Sequence, residues 1–250
     1  MTHYRLILYI LPVLLLLSLD FKGQSKKKQV QKTAKPKTYT REEVVDSLQG
    51  IVMYDVYIAS LGIDSVRRAK DGKPLQGWQE DFYSNGKTLH KGLYKDGHLE
   101  LFRNFHDNGA TERVFAKLDS ASCNVEVYYP NGNQRKQVNY FNGKVKRRSE
   151  FYENGLLKIT EEFDVNKNIL IMQKTWFPGG QIQSEILRDA KTGKYSQKTY
   201  YINSKLFEQG LLVQDKESGE LLRTGAWISL DSTGKNKKTT QYKITKKAAN

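Results

Sequence analysis

One five-residue phrase recurs four times at a constant interval of 23 residues. It reads Phe82-Tyr83-Ser84-Asn85-Gly86, Phe105-His106-Asp107-Asn108-Gly109, Tyr128-Tyr129-Pro130-Asn131-Gly132 and Phe151-Tyr152-Glu153-Asn154-Gly155. Two aromatics, a spacer and Asn-Gly at fixed period mark a repeat array. Asn-Gly is the strongest short signal for a two-residue β-turn, because a type I′ turn needs positive φ at both central residues. The aromatics before it suit a pleated, half-buried surface. A second turn signal, Asp96-Gly97 and Asn142-Gly143, follows 11 residues after Gly86 and Gly132. One period is therefore two strands and two turns. The phrase predicts an all-β chain, an elongated antiparallel meander of about seven to eight stacked hairpins.

The pattern loosens toward both ends, as terminal repeats do. Gly62 and Asp71-Gly72 read as a worn first repeat. Trp176-Phe177, Tyr200-Tyr201 and the Asp231 to Gly234 turn extend the series forward. Strand alternation puts Phe82, Phe105, Tyr128, Phe151, Trp176 and Tyr200 on one face, and Tyr83, His106, Tyr129, Tyr152, Phe177 and Tyr201 on the other. One row is expected in the core and the other as an exposed aromatic ladder for a partner, a protein or an envelope lipid or glycan. Upstream, Thr40-Arg41-Glu42-Glu43 has the capping-box pattern, with Val44, Val45 and Leu48 on one face of a short helix that Gly50 ends. Residues 51–59, rich in Ile, Val and Tyr, read as a strand.

Residues 1–23 read as a signal peptide, with an uncleaved N-terminal anchor as the alternative: Arg5 is followed by an apolar run from Leu6 to Leu19, 14 residues long, short for a membrane span but suited to a secretory leader. No cysteine follows it, which speaks against a lipoprotein anchor. Residues 24–41 are polar and basic and read as a disordered linker. Residues 42–238 are the repeat domain and 239–250 a frayed basic tail. The net charge of +14 sits in these ends, because residues 42–234 carry 26 bases and 26 acids. A nucleic-acid partner calls for a positive face on the folded body, so none is expected. The basic ends suit a solvated role or contact with an anionic surface.

Within the body, residues 127–149 hold no acid, while Arg135, Lys136, Lys144, Lys146, Arg147 and Arg148 are basic. Lys144, Lys146 and Arg148 alternate, so on a strand they share one face. This is a candidate patch for the phosphate or carboxylate groups of a partner; a solvated face that discourages edge pairing is the plainer reading. Cys123 is the single cysteine, so no internal disulfide forms. His90, His98 and His106 lie on successive strands without a metal-binding spacing. Neither Glu80-Asp81 nor Glu161-Glu162 is an acid/base dyad, because adjacent strand residues face opposite ways. No phosphate loop or nucleophile elbow is present. No catalytic residue, metal or cofactor is expected, and no small-molecule substrate.

The repeated phrase resembles the MORN-variant repeat of bacterial proteins grouped as the YwqK type, which carry an antitoxin label. Asp71-Gly72-Lys73-Pro74-Leu75-Gln76-Gly77-Trp78 is similar to that group's opening, and Gly225-Ala226-Trp227 with Asp231-Ser232-Thr233-Gly234 to its closing repeat. The resemblance implies a repeat-built, non-enzymatic binding surface with a membrane or protein partner. With the leader, it points to an exported protein, periplasmic or at the cell surface, that serves as a protein- or envelope-binding scaffold. The rival reading is an antitoxin or immunity-type inhibitor that binds one toxin stoichiometrically.

Overall fold

The structure, a computed structural model, describes residues 37–215 and 217–243. The predicted signal peptide, residues 24–36 of the predicted linker and residues 244–250 lie outside the described residues. The repeat domain is one sheet of 15 strands in strict sequence order. Strand β1 (Thr38–Tyr39) pairs in parallel with β2 (Gly77–Tyr83). From β2 the chain is an antiparallel meander: β3 (Thr88–Lys95), β4 (His98–Phe105), β5 (Thr111–Lys117), β6 (Ser122–Tyr128), β7 (Gln134–Phe141), β8 (Lys144–Phe151) and β9 (Leu157–Asp164). It continues through β10 (Ile169–Trp176), β11 (Ile182–Arg188), β12 (Tyr195–Tyr200), β13 (Leu206–Gln214), β14 (Leu221–Leu230) and β15 (Lys237–Tyr242). The predicted meander is present, as seven hairpins from β2 to β15.

Two kinds of turn occupy the two ends of the hairpins. At Asp96-Gly97 both φ angles are positive, 51° and 81°, and at Asn142-Gly143 they are 48° and 71°. These are the two-residue turns expected of type I′. The phrase turns differ from the expectation. Only their glycines have positive φ, 83° at Gly86, 95° at Gly109, 88° at Gly132 and 84° at Gly155. Gly86 N–H donates to the Tyr83 carbonyl at 2.9 Å, and Tyr83 N–H to the Lys87 carbonyl at 2.8 Å. That is a type I turn closed by a glycine in a bulge.

Asparagine is therefore selected for its side chain. Oδ1 of Asn85, Asn108, Asn131 and Asn154 accepts the N–H two residues on at 2.8–3.0 Å. Nδ2 of Asn108, Asn131 and Asn154 reaches the carbonyls of Pro130, Glu153 and Pro178, each in the next repeat.

The two aromatic registers do face opposite ways, but neither forms a continuous core. Of the twelve, only Tyr83 is buried, at 2% exposure, and the others are half-buried. Equivalent positions lie two strands apart, about 10 Å, whereas rings in contact have centroids about 4.5–7 Å apart. Rings of the second register instead reach the backbone. The hydroxyls of Tyr83, Tyr129 and Tyr152 donate to the carbonyls of Phe105, Phe151 and Trp176 at 2.8, 2.9 and 2.7 Å. Each repeat is thus tied to the first aromatic of the next.

Helix α1 (Arg41–Val44) is capped as predicted, Thr40 N–H donating to Glu43 Oε2 at 2.6 Å. It stops early, and Leu48 is 78% exposed instead of lining a helix face. Residues 51–59 are not a strand: two 3-10 turns, Asp55–Tyr57 and Ala59–Leu61, take their place. Ile51, Tyr54 and Ile58 point into the sheet with exposures of 0%, 1% and 1%; burial of every third or fourth residue is a turn-like period that overrides β-propensity. Residues 62–76 make a short hairpin at Asp71-Gly72: Arg68 bridges Pro74, Ala69 N–H donates to the Lys73 carbonyl at 2.8 Å and Gly72 N–H to the Ala69 carbonyl at 3.0 Å, so the worn first repeat keeps its turn but adds no strand to the sheet. Residues 41–76 form a strap across one face of the sheet, and the main core lies beneath it with Leu89, Tyr94, Phe102, Phe115 and Cys123.

Two predicted boundaries also move. Thr38–Tyr39 belongs to the sheet and not to the linker, and residues 239–242 pair with β14. A second, smaller core joins Ile186, Tyr195, Leu212 and Trp227 near the far edge. There the indole lies against Gly210, where a Cβ would come within 2.3 Å of the ring. Gly210→Ala is expected to destabilise the chain by about 1–3 kcal/mol, read as a lower urea midpoint. Tyr152→Phe is expected to lose about 1 kcal/mol with its hydroxyl bond. Wild-type midpoints for both would rule out these two ties.

Candidate functional site

Each phrase turn is followed by a bulge. Asp81 pairs with His90 and Phe82 with Thr88, which leaves Leu89 as an extra residue. The same step leaves Glu112, Arg135 and Lys158 extra in the next three repeats. A bulge sets two residues against one, so neighbouring side chains both reach the strap face. Leu89 and His90 are each fully buried, and Glu112 and Arg113 are 2% and 5% exposed.

These positions anchor the strap through buried polar contacts. Arg67 holds Asp81 with two hydrogen bonds of 2.7 and 2.6 Å, and the Tyr54 hydroxyl donates to Asp81 Oδ2 at 2.8 Å. Arg67 Nη1 donates to the Tyr94 hydroxyl at 2.7 Å, which lies 3.1 Å from His90 Nε2. His90 Nδ1 is 2.7 Å from Asn104 Oδ1, and Asn104 Nδ2 donates to the Ile51 carbonyl at 3.3 Å. The donor order assigns a neutral imidazole with its proton on Nδ1. Tyr54 stacks on that ring with centroids 3.6 Å apart. Burial pushes the His90 pKa from 6.5 down to about 4, against the pull of the Asn104 bond and the Asp81 charge.

A second anchor follows one strand on. Ile51 N–H donates to Glu112 Oε1 at 3.2 Å, while Arg113 grips Asp55 Oδ2 at 2.6 Å and the Gln49 carbonyl at 2.8 Å. Burial raises the pKa of both Glu112 and Asp55, and nearby Arg113 only partly restrains it. Sequence reading passed over Asp81, His90, Asn104, Glu112 and Arg113 as a set. The signal available was their recurrence just before or just after the phrase turns.

The six basic residues do not form one patch. Arg147 pairs with Asn139 and Val145 with Tyr140, so Lys146 is an extra residue and the alternation breaks. Lys144 and Arg147 fall on the face away from the strap and Arg148 on the strap face. Arg148 is paired with Glu161, and Arg147 Nη1 lies 3.6 Å from Glu162. Lys136 sits opposite Glu150, and burial lowers its pKa. Arg135 donates to the Leu48 carbonyl of the strap at 2.9 Å.

Arg135 also lines a groove of about 370 Å³ between the strap and the second and third repeats. Its walls include Tyr83, His106, Tyr128 and Tyr129, and its other lining side chains include Arg41 and Glu112. Cys123 is buried, and burial raises its thiol pKa. Among the described residues no group of three or more His, Cys, Asp or Glu could hold a metal ion, and no helix is long and apolar enough to cross a membrane.

No protein-family model matches the chain, and no curated protein matches it. Among solved structures it is similar to a mutant of S. aureus TarM in complex with fondaparinux, alpha-GlcNAc-glycerol and UDP, at 14% identity and a TM-score of 0.27, over 43% of this chain and 19% of that one. A second TarM structure gives 14% identity and a TM-score of 0.26, over 46% and 20%. The chain therefore spans about a fifth of the length of those proteins. Likeness this low assigns no function.

His90 gives the site a measurable signature. Its folded pKa of about 4 lies below the unfolded 6.5, so the unfolded chain binds more protons between those values. Stability is full above pH 6.5 and falls as pH drops through that window toward 4, by on the order of 3 kcal/mol from this group. Asp55 and Glu112, shifted upward, act in the opposite sense, favouring the fold at low pH and less as pH rises. A ring-proton NMR titration isolates the histidine: His90 is expected to stay neutral until pH nears 4, and a midpoint at its ordinary value would overturn the assignment.

Proposed function

We propose that the chain is an exported, non-catalytic scaffold whose uncovered sheet face binds a protein or an envelope component. The observation that carries the reading is the bareness of that face. The strap lies on the opposite side, and among the described residues no helix or strand packs on the open side. Sheets ordinarily hide an apolar face against a second layer. Here Met172, Leu187, Ser196 and Leu211 stand opposite one another in a single cross-strand row, with Leu187 and Leu211 each 44% exposed. Beside them Lys174 and Glu185 form an ion pair at 2.8 Å, giving an apolar strip with a charged margin, the composition of a binding face.

Other features support the same reading. The buried titratable groups of the strap region are engaged in holding the strap, which is a structural role. The apolar leader followed by a basic segment suits export. The repeated phrase resembles MORN-variant repeats, whose relatives imply non-enzymatic binding.

Because both leucines are exposed, Leu187→Lys with Leu211→Lys is expected to leave the melting temperature within a few degrees of wild type. The same pair is expected to abolish cross-linking of partners from envelope extracts by a photoreactive group placed at position 198. Unchanged cross-linking in the double variant would reject this face as the binding surface.

A further inference from the structure

The first aromatic of each phrase stands on the open face of the sheet, and four of these rings form a ladder. Asp81 and Tyr83 are buried beneath the strap, so Phe82 between them points the other way. The ladder runs Phe82, Phe105, Tyr128 and Phe151, all half-buried, at the constant interval of 23 residues. Each ring stands directly opposite one residue of the next strand: Phe82 with Thr88, Phe105 with Thr111, Tyr128 with Gln134 and Phe151 with Leu157. Between the four rings, therefore, come two hydroxyls and an amide. Tyr128 shows how a ring lies here, because its hydroxyl bonds Glu126, two residues back on the same strand and the same face. Tyr200 repeats the posture further along, donating to Glu185 Oε2 at 3.1 Å. Both rings lie along the sheet, one side against it and the other outward.

Period and charge select an occupant. Successive rungs are two strands apart, about 10 Å. An extended peptide repeats side chains on one face about every 7 Å, and a helix turns in about 5 Å; neither keeps step with the rungs. A β-1,4-linked hexose chain does. Its successive sugars face alternate ways, so like faces recur at every second sugar, a length close to the rung spacing. The flat C–H face of each sugar is apolar and suits an aromatic ring. Its rim carries hydroxyls, which call for groups that both donate and accept, as Thr88, Thr111 and Gln134 do. The row beside the rungs sets Glu80 and Glu126 against Lys91 and Arg103, and Lys91 already holds Glu80 at 2.9 Å. Balanced charge suits an uncharged chain. A proline-rich segment turns once in about 9 Å, but it offers carbonyls without N–H and would answer only half of each hydroxyl.

We propose that this ladder binds a single strand of a neutral β-1,4-linked hexose polysaccharide, with every second sugar stacked on a ring and the sugars between bonded to Thr88, Thr111 and Gln134. The inference rests on the reading of the open face as the binding surface and names its occupant. It uses different residues, since Leu187 and Leu211 lie beyond the fourth rung. Sheets twist from strand to strand, so the bound strand twists with the rungs, as a free chain can and a crystalline fibre surface cannot.

Calorimetry on the full chain tests it with cellohexaose, chitohexaose, their disaccharides and the α-linked maltohexaose. At least one of the two β-linked hexasaccharides is expected to bind, about tenfold or more tightly than its disaccharide, because it reaches several rungs instead of one. Maltohexaose is expected not to bind. Phe105→Ala with Tyr128→Ala is expected to weaken the hexasaccharide by about tenfold or more. Thr88→Val with Thr111→Val removes two hydroxyls with little change of shape and decides the matter if the alanine variant does not fold; it is expected to weaken binding about fivefold or more at an unchanged melting temperature. Binding by neither hexasaccharide, equal affinity for two sugars and six, equal binding of maltohexaose, or tighter binding of an oligoproline peptide would overturn the proposal. Should envelope cross-linking at position 198 survive any of those results, the scaffold reading stands and only the sugar strand is rejected as its occupant.

Discussion

The spacing between equivalent residues of successive repeats governs how this sheet is held together. Two strands separate them, about 10 Å, too far for ring to touch ring. A tyrosine hydroxyl or an asparagine amide can cross the gap if it bonds backbone instead of a side chain. Tyr83, Tyr129 and Tyr152 do so on one face, and Asn108, Asn131 and Asn154 along the line of turns. Phe177 has no hydroxyl to offer, whereas Tyr201 restores the contact by donating to the Leu230 carbonyl at 2.9 Å. The repeat is thus a hydrogen-bond device as much as a hydrophobic one. Its targets are carbonyls that any residue supplies, which lets Ser84, Asp107, Pro130 and Glu153 vary at the spacer.

A single-layer sheet gains little from burial on its own, so the two cores mark where extra layers or large rings close over it. At the near end the strap supplies the layer, and much of its interface is polar. Desolvating Asp81 and Arg67 is tolerable because each finds the other with two hydrogen bonds, and removing either would leave an unpaired buried charge. At the far end no strap exists among the described residues. Trp227 does the covering there, lying on Gly210, donating Nε1–H to the Leu211 carbonyl at 3.1 Å, and carrying the Arg223 guanidinium 4.0 Å from its ring centroid. Glycine on one strand and tryptophan on the next are one packing unit.

Much of the architecture was legible because turn chemistry is local. Gly86, Gly109, Gly132 and Gly155 announced the hairpins, and the meander followed from the period alone. The type of turn was not legible. Asn-Gly serves a two-residue turn at Asn142-Gly143 and a bulged turn at Asn131-Gly132, and the difference lies in how the flanking strands pair. Residues 51–59 misled for the opposite reason: their Ile, Val and Tyr content favours a strand, but the sheet below demanded Ile51, Tyr54 and Ile58 on one side. Strict alternation puts the basic run at 144–148 on one face, and the extra residue at Lys146 breaks that alternation. For the anchoring groups, His90 and Glu112 looked unremarkable singly; only the bulge brings each beside its neighbour.

That bulge also explains where the strap ends. Each repeat offers it two adjacent side chains: Leu89 with His90, then Glu112 with Arg113, then Arg135 with Lys136, then Lys158 with Ile159. The first pair supplies a buried ring for Tyr54 to stack on, and the second a carboxylate and a guanidinium for Ile51 N–H, Asp55 and the Gln49 carbonyl. The third still finds the Leu48 carbonyl through Arg135. The fourth makes no bond to the strap, and Lys158 lies over the Tyr152 ring, 6.0 Å from its centroid. Cover by the strap therefore stops after the third repeat, where Arg135 makes the last of these bonds to it. From there the same repeated backbone continues as a sheet without the strap, closed on that face by the smaller core around Trp227.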